Sequence, residues 1–216
     1  HRLHVIEDCA HAAGTRYHGW HIGAGNPETG DYSDAASFSF YATKSITTGE
    51  GGMVTTHDDA MADSMKLLCL HGISKDAWKR YTASGSWYYE VEYPGYKYNL
   101  TDVAASLGLV QLKRAEEFYL ARKRTAGLYD AGFSDVPEIR RPAVRDDVQH
   151  AWHLYVIQLE LDQLRIGRDD FIEALKKENI GTSVHFIPLH LHPFYKRSFG
   201  YRPADFPNPT GAFDRI

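Results

Sequence analysis

The stretch "SFSFYATKSITTGEGGM", residues Ser37–Met53, sets a single lysine between a strand-like aromatic run and a glycine-rich turn. Lys44 and Glu50 are its only charged side chains. An amine held beside the end of a strand can form a Schiff base with a carbonyl compound, and burial frees the lone pair that this reaction needs. Most lysines are solvated surface residues, so Lys44 alone favours that simpler interpretation.

Asp8 changes this balance because it follows the apolar stretch Leu3–Ile6, which predicts a short buried strand. Strands covered on both faces are typical of parallel sheets, and α/β folds gather their ligand sites at the carboxyl ends of such strands. A buried carboxylate needs a partner, and the protonated ring nitrogen of pyridoxal phosphate (PLP) would serve. Asp8 by itself is equally compatible with a helix N-cap or a turn.

Ser39 is the third candidate, because an extended segment points Ser39 and Tyr41 to the same face. A hydroxyl group there could donate to a phosphate, although Ser39 alone is explained more simply as a serine that faces a neighbouring strand. The glycines of "GEGG", residues 49–52, mark a turn and are a weak signal by themselves.

Strands and helices alternate around these residues in the first two thirds of the chain. The patterns predict strands at "AASFSFY" and "GGMVTTH", a helix from Asp58 or Asp59 to about Leu70, and a long helix that starts at Thr101 and has Arg122–Arg124 near its end. Residues 14–34 are polar and glycine-rich, which favours a connection. The aromatic segment 72–99 has no clean period, which predicts a loop excursion over a surface or a partner.

The pattern changes after Pro137–Pro142, which favours a linker. "HLYVIQLEL" and "TSVHFI" predict strands, and "RDDFIEALKKEN" predicts an amphipathic helix with Gly181 as its stop. This β-α-β order indicates a separate α+β unit. The sequence therefore predicts residues 1–140 as part of a large domain and residues 141–216 as a smaller, incomplete C-terminal domain.

Composition argues against several classes of partner. The 216 residues carry a net charge of −4 with scattered basic side chains, so no basic surface for nucleic acid is expected. No apolar run approaches the roughly 18 residues of a membrane span, and no polybasic segment is present. Cys9 and Cys69 each lie in an apolar segment, which fits a reducing cytoplasm. A strand begins almost at once and "GAFDRI" ends the chain in mid-pattern, which predicts a fragment cut at both ends.

The order of motifs along the whole chain resembles the DegT/DnrJ/EryC1/StrS aminotransferases. The resemblance is carried by "VIEDCAHAAGTRYHGWHIG", "DAASFSFYATKSITTGEGGMVTT", "HGISKDAW", "PGYKYNLTDVAASLGLVQL", "HAWHLYVI" and "IGTSVHFIPLHLHPFY". It implies an α/β fold of the fold-type-I PLP-dependent transferases (aspartate aminotransferase-like), with a large mixed-sheet domain and a smaller C-terminal α+β domain. It also implies amination of keto groups on nucleotide-linked sugars.

The resemblance implies a role for each matching residue. Lys44 matches the lysine that binds the cofactor covalently and then shuttles protons, and Asp8 matches the acid that pairs with the pyridinium nitrogen. His11 matches a position beside the cofactor ring, and Ser39 matches the phosphate-binding serine. Asn99 matches an asparagine that reaches the phosphate of the neighbouring subunit's cofactor, so a homodimer is implied.

The substrates follow from the same resemblance. His185 and Phe186 resemble a piece of chain that lines the sugar-nucleotide site, and L-glutamate is the expected amino donor. "KYNLTD" and "HAWHLY" look more like relatives that act at C4 of UDP-sugars, so C4 is favoured over C3. The expected pathway is cell-surface polysaccharide, lipid or amino-sugar biosynthesis. Related sugar dehydratases have histidine at the position of Lys44, so the lysine here argues for transamination.

Two other classes of function remain open. The first is a metal hydrolase, suggested by the twelve histidines of the chain. His150 and His153 are three residues apart, and His190 and His192 follow later in the chain. Residues three apart on a strand face opposite sides, however, which disfavours a shared metal ion. The second is a catalytically incomplete homologue that acts only in dimer assembly, since the family's upstream phosphate-binding turn and ring-stacking aromatic residue are expected before residue 1.

Overall fold

The computed structural model describes residues 3–26, 28, 33–73 and 88–216. The chain divides into two compact units, His1–Lys123 with Val144–His153, and Arg124–Ala143 with Leu154–Ile216. The units interleave along the chain, because residues 144–153 belong to the first unit. The predicted boundary between domains at residue 140 stays a prediction, since compact units and domains are different divisions of a chain.

Short strands and short helices make up the described structure. The strands are β1 (Ile6–Asp8), β2 (Arg16–Tyr17), β3 (Trp20–His21), β4 (Ala35–Ser39), β5 (Gly52–Thr55), β6 (Ile139–Arg140), β7 (Val148–Gln149) and β8 (Gln158–Leu159). The α-helices are α1 (Asp59–Leu68), α2 (Asp102–Lys113), α3 (Ala115–Gly132), α4 (Arg168–Lys177), α5 (Pro193–Phe199) and α6 (Pro207–Phe213). Turns of 3-10 helix cover Leu161–Gln163, Leu189–Leu191 and Pro203–Asp205.

β4 is the centre of a mixed sheet that has the order β1-β4-β5 among the described residues. β1 runs parallel to β4 with Asp8 opposite Ser37, and β5 runs antiparallel to β4 with Gly52 opposite Ser39. The amide of Cys9 extends the parallel ladder by donating to the Ser37 carbonyl at 2.8 Å. The two strands predicted from "AASFSFY" and "GGMVTTH" are therefore confirmed.

The prediction of a buried strand at Leu3–Ile6 is wrong. The strand is Ile6–Asp8, and the side chains of Leu3 and Ile6 are 76% and 73% exposed. In the described part of the chain β1 is an edge strand with β4 as its neighbour. Apolar composition favours burial, but burial also requires a second layer of structure to pack on the strand.

The connection at residues 14–34 contains a β-hairpin that the sequence patterns did not predict. β2 and β3 pair across His18 and Gly19, whose φ angles of 49° and 85° belong to a tight two-residue hairpin turn. Glycine adopts such an angle without steric cost. β7 pairs antiparallel with the other edge of β2, which attaches residues 148–149 to the first unit.

Side-chain caps begin α1 and α2, as predicted. Asp58 accepts a hydrogen bond from the amide of Met61 at 3.0 Å, and Thr101 accepts one from the amide of Ala104 at 3.2 Å. The long helix predicted from Thr101 to the region of Arg122–Arg124 is two helices instead. The chain leaves helical geometry at Arg114, where φ is −101° and ψ is 5°.

α2 presents apolar side chains to solvent. None of its residues is buried, and 52–76% of the surface is exposed at Val103, Leu107, Leu109, Val110 and Leu112, which we call the α2 apolar surface. Val103, Leu107 and Val110 fall on one side of the helix at spacings of four and three residues, and exposed apolar side chains grouped in this way are typical of association sites. No described helix combines the length and the apolar character that crossing a bilayer requires.

The second unit departs from the sequence predictions mainly in its strands. β6 and β8 pair antiparallel, so the predicted linker Pro137–Pro142 contains a strand. The predicted strand "HLYVIQLEL" is limited to Gln158–Leu159, and "TSVHFI" forms no strand. Alternating apolar residues form a strand only where another strand pairs with their backbone groups. Among the described residues, β6 pairs with Gln158–Leu159, and no strand pairs with "TSVHFI".

The predicted amphipathic helix of the second unit is confirmed as α4, but its predicted stop is wrong. The helix ends at Lys177, four residues before Gly181. Asn179 takes the left-handed conformation there with φ at 61°, and its amide donates to the Lys176 carbonyl at 3.0 Å. Asparagine tolerates this conformation, so it serves as the stop signal here.

The aromatic segment at residues 72–99 is only partly within the described residues. The prediction of a loop excursion at residues 74–87 lies outside them. The flanking parts form isolated bridges, Leu70 with Lys97 and Ile73 with Val91. The rings of Tyr96 and Tyr98 stack with centroids 4.9 Å apart.

Candidate active site

The carboxyl ends of β1 and β4 bring together two of the predicted site residues. Asp8 ends β1 and is paired with Ser37, while Ser39 ends β4 two residues further along. Paired residues on neighbouring strands share a face of the sheet, and so do residues two apart on one strand. Standard strand spacings therefore separate the Cα atoms of Asp8 and Ser39 by roughly 8 Å on one face.

The residues between and beside them are small. Ser37 lies between Asp8 and Ser39 on this face, and Gly52 of β5 is opposite Ser39. A Cβ atom at Gly52 would lie 2.7 Å from the carbonyl oxygen of Phe38, so a larger residue would disturb the sheet. Val54 of β5 pairs with Ser37 and shares this face, so serine, glycine and valine side chains surround the position between Asp8 and Ser39.

Asp8 is exposed and has a fixed orientation. Its Oδ1 atom accepts a hydrogen bond from the amide of Ala10 at 3.0 Å, and a carboxylate retains further acceptor capacity. The neighbouring Cys9 is buried, and burial, followed by the charges of Glu7 and Asp8, raises the pKa of its thiol to about 11. Cys9 is thus a protonated packing residue, and Asp8 is the exposed acidic side chain at this strand end.

Lys44 lies in the loop of residues 40–51 that joins β4 to β5. The loop is closed by its backbone, because the amide of Thr48 donates to the Phe40 carbonyl at 2.9 Å and the amide of Phe40 donates to the Gly51 carbonyl at 2.8 Å. The amide of Lys44 donates to the Tyr41 carbonyl at 2.9 Å, and its side chain is half-buried. The lysine therefore occupies a hydrogen-bonded turn directly after the strand that carries Ser39.

The two threonines that follow Lys44 hold this loop together. Thr47 Oγ1 donates to the Phe40 carbonyl at 3.1 Å and accepts from the amide of Gly49 at 2.9 Å. Thr48 is buried, and its Oγ1 donates to the Glu50 carbonyl at 2.7 Å. Both hydroxyl groups thus satisfy backbone groups of the loop.

Arg122 of α3 reaches the same loop, and nothing in the sequence pattern pointed to it. Its Nε donates to the Ala151 carbonyl at 3.2 Å, and its Nη1 donates to the Ser45 carbonyl at 3.4 Å. Burial lowers the pKa of the Arg122 guanidinium. Ser45 is itself buried, and its Oγ atom has no hydrogen-bond partner among the described residues.

The histidines near this site contact other rings. His11, three residues after Asp8, packs on His153 with ring centroids 4.3 Å apart and planes tilted by 56°. His150 packs edge-on against Trp152 at 4.6 Å. Residues 150–153 form no strand, so the strand-based argument about their facing does not apply. Across residues 3–26, 28, 33–73 and 88–216, no group of three or more His, Cys, Asp or Glu could hold a metal ion.

Asn99 lines a cavity of about 470 Å³ beside the lysine loop. The described wall of this cavity includes Thr48 and Gly51 from the loop, the capping residue Thr101 and Leu107 from α2, but neither Ser39 nor Lys44. The Asn99 side-chain oxygen accepts a hydrogen bond from the Lys97 ammonium group. The role implied for Asn99, which involves a second subunit, stays a prediction.

His185 and Phe186 belong to the second unit. Their rings pack on each other with centroids 4.1 Å apart, and the side chain of Phe186 is 72% exposed. The peptide bond between them is cis. Their role in binding a sugar nucleotide stays a prediction.

The donor set at the ends of β1 and β4 fits pyridoxal phosphate. A carboxylate suits a protonated ring nitrogen, a primary amine suits an aldehyde, and a hydroxyl group donates to a phosphate oxygen. Asp8, Lys44 and Ser39 supply these three groups, and Ser37, Gly52 and Val54 are their neighbours on this face of the sheet.

The amino-acid sequence of this chain matches a known protein family and its members. The sequence model of the DegT/DnrJ/EryC1/StrS aminotransferase family matches residues 1–216. The chain is 51% identical over 216 residues to SpsC of Bacillus subtilis (strain 168), a spore coat polysaccharide biosynthesis protein, and covers 54% of it. It spans about half the length of the relatives it matches.

Solved structures give the same grouping. The chain is similar to Spr1654 of Streptococcus pneumoniae in its PLP form, described as a candidate sugar aminotransferase, at 33% identity and a TM-score of 0.82, over 99% of this chain and 51% of that one. It is similar to the aminotransferase PseC of Helicobacter pylori, involved in the biosynthesis of pseudoaminic acid, at 30% identity and a TM-score of 0.79, over 98% and 52% of the two chains. The predicted fold-type-I architecture is confirmed.

Proposed function

Because this chain belongs to the DegT/DnrJ/EryC1/StrS aminotransferase family, we propose that it carries out PLP-dependent transfer of an amino group to a keto group of a nucleotide-linked sugar. The observation that carries the proposal is the placement of Asp8 and Ser39 on one face of adjacent parallel strands. Lys44 lies on the hydrogen-bonded turn that follows.

Each residue contributes a distinct property to the proposed site. PLP, when bound, supplies an aldehyde that captures amines and a ring that withdraws electrons. Lys44 contributes the amine, and its Nζ atom holds and returns a proton when that amine is free. Asp8 keeps the ring nitrogen charged, and Ser39 donates its hydroxyl hydrogen to the phosphate. His11, held against His153, limits the space beside the ring.

The substrate assignment is the finer part of the proposal. The names of SpsC and PseC refer to polysaccharide and pseudoaminic acid biosynthesis, which supports a sugar as the amino acceptor here. We infer a nucleotide-linked sugar with its keto group at C4, and L-glutamate as the donor. His185 and Phe186 would line the sugar-nucleotide site, in which the exposed ring of Phe186 offers a surface for stacking.

A homodimer belongs to the same proposal. The α2 apolar surface supports it, since a second copy would remove these five side chains from water. Asn99 immediately precedes α2, so a partner packed on α2 would lie near its amide group. A cytoplasmic location is proposed because Cys9 and Cys69 are both free.

Covalent trapping tests the central assignment. The full-length protein is incubated with PLP, reduced with borohydride, digested, and analysed by mass spectrometry. We expect the label on the peptide that contains Lys44 and its loss in Lys44→Ala. Lys66→Ala, which removes an exposed lysine of α1, is the matched control and should label normally. A label on a different lysine, or none, would contradict the proposal.

A substrate panel tests the finer assignment. The full-length protein is incubated with PLP, without the reduction step, and is then supplied with L-glutamate and a series of nucleotide-linked 3-keto and 4-keto sugars. Product should form with a 4-keto sugar and carry nitrogen from labelled glutamate. Turnover of 3-keto sugars alone would leave the aminotransferase assignment in place and overturn the choice of C4.

A further inference from the structure

Arg122 joins two segments that are distant in sequence and that both carry candidate site residues. Its guanidinium group donates to the carbonyl of Ser45 at 3.4 Å and to the carbonyl of Ala151 at 3.2 Å. The first carbonyl belongs to the residue that follows Lys44. The second lies two residues before His153, whose ring packs on His11. One side chain of α3 therefore contacts both the segment of Lys44 and the segment of His153.

The charge of Arg122 is held in an unfavourable environment. The residue is half-buried, burial lowers the pKa of its guanidinium, and no carboxylate of the described residues pairs with it. Arginine nevertheless stays ionised in proteins. Partly burying a charge without an opposite charge is costly, and hydrogen bonds to two carbonyl groups only partly offset the loss of water. A neutral side chain would fill this space at lower cost if packing were the whole role.

Apart from the bond to Arg122, the polar contacts of the Lys44 turn are mainly local. The turn of Lys44 is closed by bonds to Tyr41 and Phe40, which move together with the loop. The amide of Thr47 reaches outside the loop to Gln111 Oε1 on α2 at 3.4 Å. Ser45 has a buried hydroxyl group without a partner, so its carbonyl bond to Arg122 is its polar link to the helices.

We propose that Arg122 is a positioning residue, which fixes the Lys44 turn relative to the segment of His153 by holding the carbonyls of Ser45 and Ala151. This inference rests on the proposed function, because it takes Lys44 to be the reactive amine. Arg122 itself does not contact the cofactor in this account. Its planar group with several fixed donors suits two carbonyls in different directions better than an ammonium group does.

The first test needs no cofactor. Hydrogen exchange of the Lys44 and Thr48 amides in the cofactor-free, full-length protein reports on the turn, since both amides donate inside the loop. Arg122→Met should speed their exchange about tenfold or more, because the loop would open locally more often. Arg124→Met is the matched control, two residues along the same helix and exposed, and should leave exchange unchanged.

The second test separates positioning from folding. With the amino donor, Arg122→Met should lower kcat by roughly 10- to 100-fold and change KM little, since small misplacements of reacting groups act on the chemical step. Arg122→Lys should restore part of kcat and of the protection, while Arg124→Lys stays at the parent level. If Arg122→Met does not fold, the pair Arg122→Lys and Arg124→Lys decides the question by the same measurements.

The outcomes distinguish this inference from the proposed function. Unchanged exchange and unchanged kcat in a folded Arg122→Met protein would overturn the positioning role while Lys44 trapping still succeeds. Equal loss of kcat in the Arg122 and Arg124 variants would also overturn it. Failure to trap cofactor at Lys44 in the parent protein would overturn the proposed function, and with it the catalytic meaning of the positioning role.

Discussion

At the scale of single residues, the acid and the thiol at the end of β1 are adjacent in sequence but differ in environment. Asp8 is exposed and oriented by the Ala10 amide, whereas Cys9 is 2% exposed. Alternation along a strand explains the contrast, since successive side chains point to opposite faces. The acid is therefore free to meet a ligand, and the thiol serves packing.

Asp8→Asn should separate cofactor retention from turnover. The amide is isosteric with the carboxylate but cannot stabilise a positive charge on a ring nitrogen, so kcat should fall by about 100-fold or more while some cofactor stays bound. Cofactor content by absorbance and kcat by product formation measure the two effects. Turnover equal to that of the parent would contradict the role of Asp8. Asp58→Asn, at the N-cap of α1, is the control and should keep parental kcat.

Cys9 should be inert to alkylation in the folded protein. Its pKa is raised from the ordinary value of 9.0 to about 11 because of burial, so the thiolate fraction near neutral pH is about 100-fold lower than for a free thiol. Cys69 is less buried and provides the internal comparison. Iodoacetamide at about pH 8, followed by mass spectrometry, should label Cys69 first. Equal rates at the two thiols would refute this expectation.

The same shift predicts a pH dependence of stability. Between the ordinary pKa and about 11 the unfolded thiol ionises while the folded thiol stays protonated, so the unfolded state gains stability as pH rises. The contribution of Cys9 to the free energy of unfolding is present below pH 9.0, the ordinary pKa of the thiol, and is lost as the pH rises to about 11. The free energy of unfolding of Cys9→Ala, compared with the parent across this range, measures it.

At the scale of elements, the lysine loop depends on two glycines in different ways. Gly49 has φ at 83° and open space around its Cβ position. Gly51 has φ at 151°, and a Cβ atom there would lie 2.5 Å from Thr48 Oγ1 and 2.8 Å from Leu100 Cδ1. The first glycine is needed for its backbone angle alone, and the second for its angle and for space.

Gly51→Ala should therefore destabilise the protein more than Gly49→Ala does. The left-handed backbone angle costs about 1 kcal/mol at position 49, whereas added contacts at position 51 bring the cost to roughly 3 kcal/mol. Displacement of Thr48 would also break its bond to the Glu50 carbonyl. Denaturant unfolding of the two variants gives the comparison, and equal losses would show that the Thr48 side chain yields without cost.

Sequence patterns predicted the elements whose signals are local. Asp58 and Thr101 cap α1 and α2 because a cap needs only the three residues that follow it. The exposed Leu3 and Ile6 and the missing strand at "TSVHFI" depended on partners that no local pattern specifies. Arg122 escaped notice because its contact with Ser45 spans 77 positions of the chain. The order of motifs predicted roles for Lys44 and Asp8, which stay predictions, but it gave no indication of the side chains that hold the lysine loop in place.

At the scale of the whole molecule, the α2 apolar surface is the feature that points beyond a single copy. Five large side chains on one short helix remain more than half exposed. The cavity wall that includes Asn99 continues onto this helix through Val103 and Leu107. A partner bound to α2 would thus also cover the entrance of that cavity, which links assembly to the proposed site.

Leu109→Glu should weaken self-association. A charge placed in the centre of an apolar contact loses its water without gaining a partner, so the dimer Kd should rise by about tenfold or more. Leu128→Glu is the matched control, since Leu128 is 68% exposed and Leu109 is 63% exposed. Sedimentation at several concentrations measures both variants. A shift of the same size in both would exclude α2 as the specific contact.

Asn99→Ala should be complemented by a partner subunit. If Asn99 serves the neighbouring copy, mixed dimers of Lys44→Ala and Asn99→Ala contain one complete site, whereas each homodimer contains none. Activity should therefore appear on mixing and refolding two inactive preparations together. Mixtures that never exceed the average of the two homodimers would place Asn99 in its own subunit's site.

The mixed pairing of β4 also has a kinetic meaning. The antiparallel partner β5 is reached through residues 40–51, and the parallel partner β1 is reached through residues 9–34, a connection about twice as long. Each doubling of a flexible loop costs roughly 0.6 kcal/mol in closure entropy, equivalent to a threefold difference in encounter frequency. A refolding chain thus assembles the hairpin that carries Lys44 somewhat ahead of the strand edge that carries Asp8, and binding of the cofactor has to wait for the slower of the two encounters.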